Sequence, residues 1–134
     1  MKLVGIGKNI LTNCMNVKPG ENVLIVTDDE KYAIGQTLYQ AAKLLKAEAM
    51  LMTMTAREVS GQEPPAVVAA AMKAADVVIC PMKTSITHTR AKIEAAEAGA
   101  RIATMPGITE EMFAMGAMTA DYSRVMALTE QGTD

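Results

Sequence analysis

The sequence is poor in aromatic residues, which make up 3% of the chain as one Phe and three Tyr, with no Trp. The hydrophobic core must therefore be built from Ala, Val, Ile, Leu and the twelve Met. The sequence also lacks an excess of basic residues, because 13 Lys and Arg are balanced by 15 Asp and Glu, for a formal net charge of -2. A chain without a basic patch or stacking aromatics is not expected to bind nucleic acid.

Cysteine, histidine and long apolar runs are also scarce. Two cysteines, Cys14 and Cys80, and one histidine occur in 134 residues. The cysteines lie far apart and outside any CxxC or Cys/His cluster, which excludes a disulfide framework or zinc knuckle and predicts two reduced core thiols. No apolar run approaches the roughly 18 residues of a membrane span, and the first residues do not form a secretory signal. We therefore expect a soluble, cytoplasmic protein with no membrane partner.

Short apolar runs alternate with amphipathic stretches along the whole chain. Strands are predicted at residues 22–27, 48–54, 76–81 and 101–105. Helices are predicted over residues 3–16, 34–46, 67–74 and 85–98, after Thr109, and after Asp121, the last with Tyr122, Val125, Met126 and Thr129 on one face. The apolar face of the helix at 67–74 is predicted to contain Val67, Ala70, Ala71 and Ala74.

This alternation predicts a single α/β domain over residues 1–134. The expected architecture is a three-layer α/β/α fold with a small parallel sheet of about four strands and Rossmann-like or flavodoxin-like crossovers. Ligands of such folds bind beyond the carboxyl ends of the strands, so the turns that follow the strands are the candidate site. NAD is disfavoured because no GxGxxG follows the first strand, and no GxxxxGK[ST] sequence occurs.

Three carboxylates, Asp28, Asp29 and Glu30, follow the first predicted strand. They lie where the next helix presents its positive end, which accounts for them without a ligand. Contact of Asp28 with a metal ion or a substrate amine is the alternative.

The turn after the third strand, residues 82–90, gathers two cations, four hydroxyls and the only histidine at a predicted helix start. One interpretation is structural: Thr84 or Ser85 caps the helix and His88 bonds a nearby backbone group. A second is a binding site for a carboxylate or phosphate. A third pairs Ser85 and His88 as nucleophile and base on one helical face. The candidate ligand-binding, cleft-lining residues are Ser85, His88, Thr89, Arg90, Lys83 and Asp28.

A Pro-Gly turn precedes Thr109, and three regularly spaced Met residues follow it. Residues 105–108, Met-Pro-Gly-Ile, predict a turn that ends the fourth strand, with a cleft-lining role as the alternative. Met112, Met115 and Met118 predict packing in the core or against another subunit, rather than thioether metal ligands. With one histidine and scattered carboxylates, the sequence predicts no catalytic residue and no metal site in this chain.

Several segments resemble the amino-terminal portion of the M29 metallopeptidases, the aminopeptidase T family. Residues 13–21 and 23–29 carry the first two matches, with the sequences NCMNVKPGE and VLIVTDD. Residues 61–65, 85–89 and 100–109 follow in the family's order, and the resemblance spans nearly the whole chain. The resemblance implies a metal-dependent exopeptidase that releases amino-terminal residues.

The same resemblance assigns the chemistry to another domain. The family's Zn, Co or Mn ions are held by Glu, His, Tyr and Asp of a carboxy-terminal domain, which we expect to lie beyond Asp134, so the chain itself needs no cofactor. The amino-terminal lobe is expected to bound the substrate cleft, with Ser85, His88 and Thr89 matching the family's Ser-x-x-His-Thr word. A peptide substrate is then expected only together with the second domain. Some relatives resemble dihydroxypyridine dioxygenases with one iron.

Three function hypotheses therefore remain open. The first is the amino-terminal lobe of an M29-like aminopeptidase, inactive alone. The second is a free-standing module that holds a small anion or a partner's carboxylate with the turn at residues 83–90. The third is an interaction subunit that docks through its Met-rich carboxy-terminal segment, and a homodimer is compatible with all three.

Overall fold

The computed structural model describes residues 2–119 and 127–129, and side-chain surroundings for residues 4–114. The strands are β1 (Asn22–Asp28), β2 (Glu48–Met54), β3 (Val77–Met82), β4 (Arg101–Pro106) and β5 (Ala127–Thr129). The helices are α1 (Lys2–Asn9), continued by a π-helical turn (Ile10–Cys14), then α2 (Tyr32–Leu44), α3 (Ala66–Ala74), α4 (Arg90–Glu97) and α5 (Glu110–Thr119). No helix in these ranges has the length and hydropathy needed to cross a bilayer.

The strands form one sheet in the order β2-β1-β3-β4-β5. The first four strands are parallel, and the short β5 runs antiparallel to β4. Parallel neighbours require crossover helices, and these cover both faces of the sheet. The predicted three-layer α/β/α class is confirmed, and the strand order is the flavodoxin-like one.

Alternate residues of the central strands separate the core into two halves. In β1, Val23 and Ile25 pack in the half that contains α1 and α2, whereas Leu24 and Val26 pack in the half that contains α3 and α4. All four side chains are buried. The continuous apolar run of the sequence thus reflects a strand covered on both faces.

Helix α2 approaches β1 very closely at Gly35. A Cβ atom built on Gly35 would lie 2.7 Å from Cγ2 of Thr27 and 2.8 Å from its Cβ. The absence of a side chain at this position therefore sets the spacing between the helix and the strand that leads to the carboxyl edge of the sheet.

The predictions of a last helix through Thr129 and of the buried face of α3 are wrong. Thr129, predicted on the face of a last helix, lies in β5, paired with Ile102; the other residues predicted on that face fall outside the described ranges. In α3 the buried side chains are Val68 and Met72, whereas Val67 is 71% exposed. An Ala-rich helix has apolar residues on every face, so periodicity alone could not select the buried one.

Candidate functional site

Strands β1 and β3 separate before they reach the carboxyl edge of the sheet. Their pairing runs from Val23 opposite Val77 to Ile25 opposite Ile79. By contrast, β1 pairs with β2 as far as Asp28, and β3 pairs with β4 as far as Met82. The order of the strands reverses at this point, which is where an open α/β sheet has its ligand crevice.

Pro81 explains why the β1–β3 pairing stops. The hydroxyl of Thr27 donates to the carbonyl of Pro81 over 2.7 Å, so the main-chain polar groups of Pro81 face β1. Proline has no N–H to donate to the ladder, and the hydroxyl of Thr27 supplies a donor for its carbonyl. Both residues are buried, and the crevice begins directly beyond them.

The carboxylate of Asp28 fills that crevice. Its Oδ1 accepts hydrogen bonds from the backbone N–H groups of Glu30, at 3.0 Å, and Lys31, at 2.9 Å. Its Oδ2 accepts from the backbone N–H of Lys83 at 2.7 Å. Asp28 is 0% exposed, so a single buried carboxylate orders the turn that precedes α2 and holds the turn after β3 against the end of β1.

The turn after β3 is not helical, and the predicted helix start is wrong. Helix α4 begins at Arg90, and its cap is Thr89, whose hydroxyl accepts from the N–H of Lys92. Ser85, predicted as a cap, accepts instead from the N–H of Thr87, and such local hydroxyl bonds compete with helix formation. Ser85 and His88 therefore do not share a helical face, which removes the geometric basis of the proposed nucleophile–base pair.

Glu63 occupies the amino terminus of α4. Its Oε2 accepts from the N–H of Arg90 at 2.6 Å, and its Oε1 accepts from the N–H of Ala91 at 3.2 Å. These are two of the free N–H groups that make a helix start attractive to anions. The anion at this position is thus a carboxylate of the chain's own β2–α3 loop.

The β2–α3 loop is tied to the β3–α4 turn at a second place. The N–H of Gly61 donates to the carbonyl of Ser85 over 2.9 Å, and the hydroxyl of Ser60 accepts from the N–H of Ser85. Lys83, from the same turn, lies 3.5 Å from both Glu30 and Glu58. The negative charges of these two carboxylates raise the pKa of Lys83, with the larger effect from Glu30, and keep the ammonium group charged.

The remaining candidates differ in exposure. The hydroxyl of Ser85 donates to that of Thr87, which lies 3.2 Å from the hydroxyl of the buried Thr104. Thr89, the cap of α4, is fully buried. His88 and Arg90 are exposed on the rim of the turn. Of the six candidates, Asp28 and Thr89 hold the backbone, while His88 and Arg90 face outward.

A groove opens beside this cluster at the same edge of the sheet. It has a volume of about 230 Å³ and lies between the starts of α2 and α5. Gly107, at φ +68°, makes the turn that brings Ile108 into the groove wall, and Thr109 caps α5 by accepting from the N–H of Met112. The turn and the helix start predicted from the sequence are confirmed. The groove itself joins segments far apart in sequence: Glu30, Lys31, Ala33, Ile34, Ile108, Thr109 and Glu110.

No three His, Cys, Asp or Glu side chains of the described residues come together as ligands for a metal ion. The M29 resemblance places the metal ions in another domain, and no chemical step is assigned to the residues at this edge through a metal. Cys14 and Cys80 are free thiols; burial raises the pKa of Cys80 to about 12.

The fold and its edge define a flavodoxin-like α/β domain with a crevice closed by its own side chains. No model of a known protein family matches the sequence, and no curated protein does. The fold is similar to that of 2,5-dihydroxypyridine dioxygenase from Pseudomonas putida KT2440, with a TM-score of 0.61 and 17% identity over 78% of this chain and 34% of that one.

The fold is also similar to that of wild-type AmpT from Thermus thermophilus, an M29 aminopeptidase. Here the TM-score is 0.52 and the identity 11%, over 92% of this chain and 42% of that one. The chain thus spans about a third to two fifths of the length of these two proteins. At such identities the likeness is one of fold, and at that level it agrees with the M29 resemblance.

Proposed function

We propose that this chain forms the lobe that bounds the substrate cleft of a metal-dependent aminopeptidase, with the divalent ions held by another domain. One observation carries the proposal: the chain's own carboxylates fill two of the places where a free-standing α/β module would hold an anion. Asp28 fills the crevice between β1 and β3, and Glu63 fills the start of α4. A surface closed in this way suits a rigid wall better than a binding pocket.

The exposed groups at the rim suit the same role. His88 and Arg90 face outward from a turn that Asp28 and Glu63 hold in place. In the proposal they contact the substrate or the facing domain, and Ser85 bonds Thr87 within the same turn. Buried backbone anchors below exposed polar groups give a wall whose contacts keep their positions.

Fold similarity to AmpT supports the aminopeptidase assignment, and the chain's share of that protein's length leaves room for a domain that carries the metal. The proposal includes a cytoplasmic location, which the two free thiols support.

A second candidate is the corresponding lobe of a ring-cleaving dioxygenase. It is favoured by the TM-score of 0.61 to 2,5-dihydroxypyridine dioxygenase, against 0.52 to AmpT. Both candidates give this edge of the sheet the same role and differ in the reaction of the other domain.

The first test is an assay of the purified 134-residue chain on aminoacyl-p-nitroanilides with added Zn, Co or Mn. We expect no turnover, because the described residues contain no metal-ligand cluster. Turnover that disappears on chelation and survives repurification would overturn the lobe assignment. A parallel assay of oxygen uptake with 2,5-dihydroxypyridine and Fe(II) applies the same criterion to the second candidate.

The rim is tested in the larger species that carries this domain. We expect His88→Ala and Arg90→Ala to lower kcat/KM about tenfold with an unchanged melting temperature. The matched control is Thr89→Val, which removes a buried cap and should lower the melting temperature. If both rim variants keep kcat/KM within twofold, the rim does not face the substrate.

A further inference from the structure

Strand β2 is at the edge of the sheet, and every second residue points its main-chain N–H and C=O groups to the side away from β1. On its paired side, the N–H of Glu48 donates to Glu21 over 2.8 Å, and the carbonyl of Met54 accepts from Asp29 over 3.1 Å. The main-chain groups of neighbouring residues point to opposite sides of a strand. The N–H and C=O groups of Ala49, Leu51 and Thr53 therefore point away from β1, where no strand lies among the described residues.

This edge lacks the features that protect exposed strands from pairing. Its seven residues, EAMLMTM, contain no proline, lysine or arginine, and the ladder with β1 runs through all seven pairs without a bulge. Natural edges are commonly blocked by such features. A groove of about 570 Å³ follows the strand, between Tyr39 of α2 and Ala71 of α3, and Met50 is 41% exposed.

We propose that β2 pairs with β2 of a second copy of this chain, antiparallel about a two-fold axis at Leu51. The three outward residues are centred on Leu51. A second copy turned by a two-fold axis at Leu51 therefore presents its outward N–H and C=O groups to those of the first. In this register Leu51 of one copy exchanges both main-chain bonds with Leu51 of the other, and Ala49 does so with Thr53. Every outward N–H and C=O group of the strand then has a partner, and the two sheets become one.

The side chains favour the same arrangement. Met50 of one copy lies opposite Met52 of the other, and adaptable thioethers pack well at a self-complementary contact. The only charged side chain, Glu48, lies at the start of the strand. Antiparallel pairing puts the two Glu48 side chains at opposite ends, about 20 Å apart. Parallel pairing would place them side by side.

Symmetry also favours β2 over the other edge of the sheet. Pairing of β2 with the three-residue β5 of another copy would be a heterologous contact, which does not close and leads to filaments. Pairing of β2 with β2 uses the same surface twice and stops at a dimer.

Analytical ultracentrifugation of the chain from about 1 to 200 μM tests the proposal. We expect a monomer–dimer equilibrium that Met50→Lys weakens about tenfold or more, because the two added charges lie diagonally across the axis and lysine disfavours pairing of an edge strand. Val67→Lys is the matched control: Val67 is also apolar and exposed, but lies on α3, and this change should leave the equilibrium unchanged. A monomer at every concentration, or a dimer insensitive to Met50→Lys, would overturn the proposal.

Cross-linking tests the register. Met50 and Met52 of opposite copies form a non-hydrogen-bonded pair with Cα atoms about 4.5 Å apart, within disulfide range. Oxidising a mixture of Met50→Cys and Met52→Cys chains, one of them isotopically labelled so that their masses differ, should give the mixed dimer. Neither variant alone should cross-link as efficiently, since like positions lie on the diagonal, about 7 to 8 Å apart. Equal cross-linking of the pure variants and the mixture would contradict this register.

Discussion

Replacement of Asp28 by asparagine changes one polar atom at the point where three segments meet. An asparagine oxygen can still accept from the N–H groups of Glu30 and Lys31, which bond Oδ1 at 3.0 and 2.9 Å. Its NH₂ group would then face the N–H of Lys83, which lies 2.7 Å from Oδ2 in the native chain. Two donors would oppose each other in a fully buried position.

We expect Asp28→Asn to lower the free energy of unfolding by about 2 to 4 kcal/mol, from one unsatisfied buried N–H and the loss of charge from the remaining bonds. Urea unfolding followed by circular dichroism measures this as a lower midpoint with an unchanged slope. The control is Asp29→Asn, since Asp29 is exposed and accepts one bond, from Ala56, that an amide oxygen can keep. A loss of less than about 0.5 kcal/mol for Asp28→Asn would refute its role in closing the crevice.

Three further predictions concern other parts of the fold. Gly35→Ala should lower the free energy of unfolding by about 1 to 3 kcal/mol through its clash with Thr27, whereas Gly5→Ala, in open space, should raise it by up to about 1 kcal/mol; equal effects in urea unfolding would contradict the close approach. Glu63→Ala should lower the melting temperature and make it rise in sulfate relative to chloride at equal ionic strength, because the start of α4 becomes free; an equal sulfate response in the native chain would contradict self-occupation. Burial raises the pKa of Cys80 to about 12, so Cys80 in the folded chain should resist thiol reagents at pH 9. The chain should lose stability as the pH rises from about 9 towards 12, because Cys80 ionises in that range only in the unfolded chain; Cys80→Ala should flatten that loss, and rapid labelling of Cys80 in the folded chain would refute the assignment.

The layered fold could be predicted because its signals are local. The apolar run at residues 22–27 is long enough for a strand and too short for a helix, and Pro19 and Gly20 mark the turn before it. The predicted strand at residues 48–54 is confirmed, and its weaker pattern reflects a place at the edge of the sheet, where one side has no partner strand among the residues that the structure describes.

The site was harder to predict because distant residues complete it. Thr89 is an available capping residue, but the hydroxyls of Thr84 and Ser85 give the same local signal earlier in the turn. Glu63 precedes the helix start that it caps by 27 residues, and no local pattern links the two. Asp28 was recognised as a carboxylate at a helix start, but its bond to Lys83 depends on the order of the strands.

The aminopeptidase assignment is tested most directly in the native species that contains this domain. An antibody raised against the chain would capture it from the source cells, with excess purified chain as the competitor in the control. The account predicts a species larger than 14.2 kDa that releases amino-terminal residues from peptides and stops when a chelator removes its metal. Captured material that contains this domain but has no chelator-sensitive peptidase activity would contradict the account.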